Sequence, residues 1–120
     1  MAVKNFEELT APLNPEERAL LPLIIKGMEN HKKENPIKEP QIIKSLNEKK
    51  EALGLTKKVT GVRLRKMINF IRSNGMAPII ANSNGYFMSW DQQEILDQIN
   101  SLNNRAEGIL SAAAGLKRFL

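Results

Sequence analysis

The sequence predicts a mainly α domain of the α+β class, in which three helices are followed by a short β-hairpin and a long C-terminal helix. Three observations predict it. Apolar residues recur at helical spacing in four separate segments. Between the third and fourth lie two short β-competent runs, separated by the turn-forming Asn82-Ser83-Asn84-Gly85. The window from Ala52 to Trp90 holds no acidic residue but six basic ones, Lys57, Lys58, Arg63, Arg65, Lys66 and Arg72. Its charge is therefore gathered around the third helix and the hairpin.

Each element has a local cause. Residues 1–13 read as a lead-in arm. Asn14-Pro15-Glu16-Glu17 is a helix start: Asn14 caps, Pro15 suits the first helical position and Glu17 closes a capping box. The helix continues through Leu20, Leu21, Leu23, Ile24, Ile25 and Met28. Pro22 predicts a kink, and apolar residues on more than one side predict burial on two faces. His31 to Pro36 is a polar loop, in which the only histidine reads as an exposed loop residue, and Ile37 forms a very short strand before Pro40. The second helix is expected over Gln41 to Leu53, closed by Gly54 in the left-handed conformation. Leu55 to Val59 is a turn, and Thr60 caps the third helix.

In that third helix Leu64, Met67, Ile68 and Ile71 form the inward stripe. At about 100° per residue, Val62, Arg65, Lys66, Asn69, Arg72 and Ser73 fall on the other side. Asn74-Gly75 stops the helix. Strands are expected over Ala77 to Ala81 and Tyr86 to Trp90. Asp91 then caps the last helix, whose seam of Ile95, Ile99, Leu102, Ala106, Ile109, Ala113, Leu116 and Leu120 alternates steps of four and three. That is a heptad pattern. It predicts a homodimer, with packing back on the first helix of the same chain as the other arrangement the pattern allows. The arm, residues 14–90 and residues 91–120 are thus three functional segments, the middle one a winged helix-turn-helix domain.

Composition narrows the function. The net charge is +5 over 120 residues. Residues 31–75 hold twelve bases and four acids (net +8), whereas residues 1–30 and 76–120 come to −2 and −1. A basic middle between mildly acidic ends points to a polyanionic partner. With no cysteine, disulfides, thiolate chemistry and Cys-based zinc sites are excluded, and no apolar run approaches a membrane span. A cytoplasmic protein without cofactor or membrane partner is expected. No glycine-rich phosphate loop or nucleophile motif is present, so no enzymatic activity is expected. Asp91, Glu94 and Asp97 sit where negative charge favours the start of a helix.

The expected partner is double-stranded DNA. Arg65, Lys66, Asn69, Arg72 and Ser73 suit the major groove, where Arg pairs with guanine and Asn with adenine. Lys57, Lys58, Thr60 and Arg63 flank the helix start and suit phosphates. Asn82, Ser83 and Asn84 form the tip of the wing, which is neutral, so the helix and the turn before it are expected to supply most of the affinity. The alternative is a protein-interaction module that uses the same helix face and the C-terminal seam, discriminated by whether Val62 and Phe70 form an exposed apolar patch.

From Val62 to Leu116 the chain resembles a group of small winged-helix proteins of bacteriophages and prophages. The resemblance rests on Val62-Arg63-Leu64-Arg65 with Ile68 and Ile71-Arg72, on Gly75, on Pro78-Ile79-Ile80 and Gly85-Tyr86-Phe87, and on Leu102, Arg105-Ala106 and Ile109-Leu110. It implies a winged-helix fold that binds DNA in a phage regulatory or replication setting, with a regulatory or replication protein as a further partner.

Overall fold

A computed structural model describes residues 12–120. The chain divides into two compact units, one ending at Ser89 and the other formed by Trp90–Leu120. The expected arm over residues 1–13 lies outside the described residues except for its last two. Of these, Leu13 is buried in the core.

The first unit contains α1 (Pro15–Met28), α2 (Glu39–Glu48), α3 (Gly61–Ser73), β1 (Ile79–Asn82) and β2 (Gly85–Met88). Three helices followed by an antiparallel hairpin is the order of a winged helix-turn-helix. The capping box of α1 forms as expected: Glu17 N–H donates to Asn14 Oδ1 at 2.8 Å, and Asn14 N–H donates to Glu17 Oε1 at 3.0 Å. α1 is unbroken through Pro22, which sits exposed on its outer side. Leu20, Leu21, Ile24 and Met28 are buried while Leu23 is exposed. The helix therefore buries one face rather than two.

α2 begins two residues earlier than expected, because Pro40 presets the first turn instead of preceding the helix. It also ends earlier, at Glu48, and the chain continues in turns to Gly54. There Leu55 N–H reaches Lys50 O at 2.9 Å and Gly54 N–H reaches Glu51 O at 3.1 Å, the paired bonds of a Schellman closure. α3 closes in the same way, with Met76 N–H on Ile71 O and Gly75 N–H on Arg72 O.

Ile42 and Leu46 of α2, and Leu64, Met67, Ile68 and Ile71 of α3, meet the α1 residues in one core. Each such side chain contributes roughly 1.5–3 kcal/mol by burial. The hairpin pairs Ile79 with Met88 and Ile80 with Phe87, and Ile79 and Met88 turn into that core. β1 starts two residues later than expected and ends one later, β2 starts one residue earlier and ends two earlier, and Trp90 is exposed. Ile37 forms the short strand expected of it: its N–H and C=O exchange bonds with Tyr86 at 2.8 Å. Met88 N–H adds a bond to His31 O, so the loop from His31 to Ile37 lies against the outer edge of β2.

The second unit is α4 (Gln92–Leu116) with a final 3-10 turn over Lys117–Phe119. Asp91 caps it by accepting from Glu94 N–H at 2.9 Å. Among the described residues no helix is long and apolar enough to cross a membrane.

Candidate nucleic-acid interface

α3 does not present all the cations expected of it. Arg63 and Lys66 turn inward to Glu17. Arg63 Nε lies 3.2 Å from Glu17 Oε2 and Lys66 Nζ lies 2.9 Å from Glu17 Oε1. The side chains are only 12%, 10% and 1% exposed for Arg63, Lys66 and Glu17. The two cations stand three residues apart, on one side of α3. Their stems carry the charges back to α1. Arg63 also donates to Lys58 O at 2.8 Å. Both are therefore structural residues, which corrects their assignment to DNA.

Glu17 is the residue that sequence reasoning undervalued. Its role as a capping-box carboxylate was legible, but its role as anchor for two cations of α3 was not. Burial pushes its carboxyl pKa up, yet the Asn14 N–H, Lys66 and Arg63 together outweigh burial and hold it below the ordinary value. The group is thus a buried carboxylate with every strong donor in place.

The outward stripe of α3 is Arg65, Asn69 and Ser73, all exposed, with Val62 and Arg72 half-buried at its margins. Arg65 reaches Glu39 Oε1 at 2.9 Å, and Tyr86 OH donates to the other oxygen of the same carboxylate at 3.3 Å. Glu39 therefore links α3 to the hairpin. Burial, followed by the charge of Glu39, raises the Tyr86 pKa. Arg72 Nε donates to Ile79 O at 2.7 Å, which ties the end of α3 to β1. Half-buried and so engaged, Arg72 serves the fold at its Nε.

The turn before α3 is held in shape. Asn47 clasps Val59 in both directions, with Val59 N–H on Oδ1 at 2.8 Å and Nδ2 on Val59 O at 3.1 Å. Glu16 accepts from the amide and hydroxyl of Thr56. These hydrogen bonds lower the Glu16 pKa. Lys57 and Lys58 are left exposed on a braced loop. Thr60 Oγ1 accepts from Arg63 N–H at 3.3 Å, so its hydroxyl oxygen caps α3. Asn47→Ala should cost about 1–2 kcal/mol, since Val59 loses both partners. Urea denaturation would read this as a lower midpoint with unchanged slope.

At the wing tip Asn82, Ser83 and Asn84 are exposed, and Asn84 N–H is bound to Asn82 Oδ1 at 2.8 Å. Phe70 is packed against the core, with the Arg18 guanidinium 5.3 Å above its ring. Neither Phe70 nor Val62 forms an exposed apolar patch. His31 is half-buried, with Nδ1 2.9 Å from Asn35 O. Among the described residues no group of three His, Asp or Glu stands close enough to hold a metal ion. Lys57, Lys58, Arg65, Asn69 and Ser73 are thus exposed, the two lysines on the loop before α3 and the other three along its outward stripe, whereas Arg63 and Lys66 are engaged with Glu17. Compared with protein-family models, curated proteins and solved structures, the chain has no match.

Proposed function

We propose that the chain is a non-enzymatic double-stranded DNA-binding protein of the cytoplasm, acting in a phage or prophage regulatory or replication setting. The observation that carries the reading is the exposed outward stripe of α3, Arg65-Asn69-Ser73, preceded in the chain by the exposed Lys57 and Lys58 of the braced turn. Asn69 and Arg65 have the chemistry to read base edges, while the two lysines suit phosphates. The ion pair of Arg65 with Glu39 is compatible with this use. Arg65 is about half exposed, and an exposed pair is worth only about 0–1 kcal/mol, so a phosphate or guanine can take its place. The same exchange at Lys66 would strand a buried carboxylate.

With Arg63 and Lys66 withdrawn, about three phosphates are neutralised, by Lys57, Lys58 and Arg65. Log K should then fall with log salt at a slope of about −3. Fluorescence anisotropy on a labelled duplex measures this. Lys57→Glu with Lys58→Glu should weaken binding at least about ten-fold and flatten the slope by about two. Unchanged affinity, or a wild-type slope near zero, would overturn the reading. A protein-interaction role draws its support from a different place: the large exposed apolar side chains lie mainly in Trp90–Leu120, and none lies on α3.

A further inference from the structure

From Ile99 to Leu116 the apolar seam of α4 is exposed. The helix runs unbroken over Gln92–Leu116 and none of its residues is buried. Ile109 is 70% exposed and Leu116 66%. Large apolar residues repeating at heptad spacing along a solvated helix need a partner surface.

We infer that α4 pairs with α4 of a second copy of the chain, in antiparallel orientation, about a two-fold axis between Glu107 and Gly108. The argument is the placement of the two seam alanines. In that register Ala106 stands level with Ile109 of the partner, Leu102 with the partner's Ala113, and Ile99 with the partner's Leu116. The two-fold repeats each pair, so every small residue meets a large one, and all six positions lie within the α-helix proper. In a parallel pair each position meets itself. Ala106 would face Ala106 and Ala113 would face Ala113, opening voids between layers of Ile and Leu.

Charge selects the same orientation. The start of the unit carries Asp91, Glu94 and Asp97, and its end carries Lys117 and Arg118. Antiparallel pairing lays the acidic end of one helix beside the basic end of the other and opposes the two macrodipoles, whereas parallel pairing sets like charge against like. The pairing holds whether or not the chain binds DNA.

The 120-residue chain has no cysteine, so a single Gln93→Cys in it takes one spin label per copy. Antiparallel pairing separates the two labels by about 45 Å along the helices. Parallel pairing holds them within about 20 Å, since paired helices lie side by side. Light scattering in the tens of micromolar range should report a dimer, and pulsed dipolar spectroscopy the longer distance. Ile109→Asp should yield a monomer with hydrogen exchange in the core of the first unit unchanged, while Asn104→Asp, on the outer side of the helix, should remain dimeric. A monomeric wild type, a short label distance or a dimeric Ile109→Asp would each overturn the inference.

Discussion

Glu17→Ala should destabilise the unit ending at Ser89 by about 3–5 kcal/mol, because it leaves Lys66 and Arg63 buried without their counter-charge. For a unit of this size the midpoint of thermal unfolding should drop by roughly 15–30 °C. The substitution also removes the capping box, since the Asn14 amide loses its acceptor. Circular dichroism during heating would measure the effect. Glu16→Gln is the control: its carboxylate bonds to Thr56 at an exposed position, and the loss should be far smaller. The cause is separable from the cap. A chain carrying Glu17→Leu, Arg63→Met and Lys66→Met has no stranded charge and should recover much of the lost stability. If Glu17→Ala melts within a few degrees of the unaltered chain, the buried trio is not what holds α1 to α3.

The same carboxylate sets an acid limit. Its pKa in the folded protein lies below the ordinary glutamate value, because its donors outweigh the burial that would raise it. The unfolded chain therefore takes up the proton first as pH falls. The stabilisation is fully present above about pH 4.3, the value of an unperturbed glutamate, and is lost as pH drops through the folded value. Glu16 shifts in the same direction. Glu17→Gln should remove most of this acid dependence while lowering stability at neutral pH.

Which parts of this architecture were legible follows from the range of the interactions. Asn14, Thr60 and Asp91 each cap a helix through a bond three residues ahead, and such signals are written in adjacent sequence. The inward stripe of α3 was equally plain, because Leu64, Met67, Ile68 and Ile71 obey a period set by backbone geometry. Lys66 was misplaced because a helical projection locates only the root of a side chain. Its four-carbon stem can swing back across the helix, and its partner Glu17 lies in another helix, far away in the sequence. Glu39 escaped notice for a similar reason. It stands outside the acid-free window in the chain, yet folding brings it onto Arg65 and Tyr86. Charge counted along a sequence thus overstated the exposed cations of α3 by two, Arg63 and Lys66, which are drawn in to Glu17.

Gly85→Ala should cost about 3 kcal/mol, combining a strained backbone of about 1–3 kcal/mol with weakened bonds to the neighbouring segment. Gly85 opens β2 with φ +130, a conformation that L side chains rarely adopt. A Cβ there would stand 2.5 Å from Ile37 O and 2.9 Å from its carbonyl carbon. These are backbone atoms, which cannot rotate aside. Relief requires moving the Ile37 segment away from β2, and Ile37 is the residue that exchanges two hydrogen bonds with Tyr86. Amide exchange at Ile37 and Tyr86 should therefore accelerate more than exchange in α3. Gly27 supplies the opposite sign. It lies inside α1, and a Cβ there meets nothing within 4 Å, so Gly27→Ala should stabilise by about 0.5–1 kcal/mol through helix propensity. Urea denaturation of the two variants decides the matter: equal effects would mean that the close approach of Gly85 to Ile37 does not restrain the hairpin.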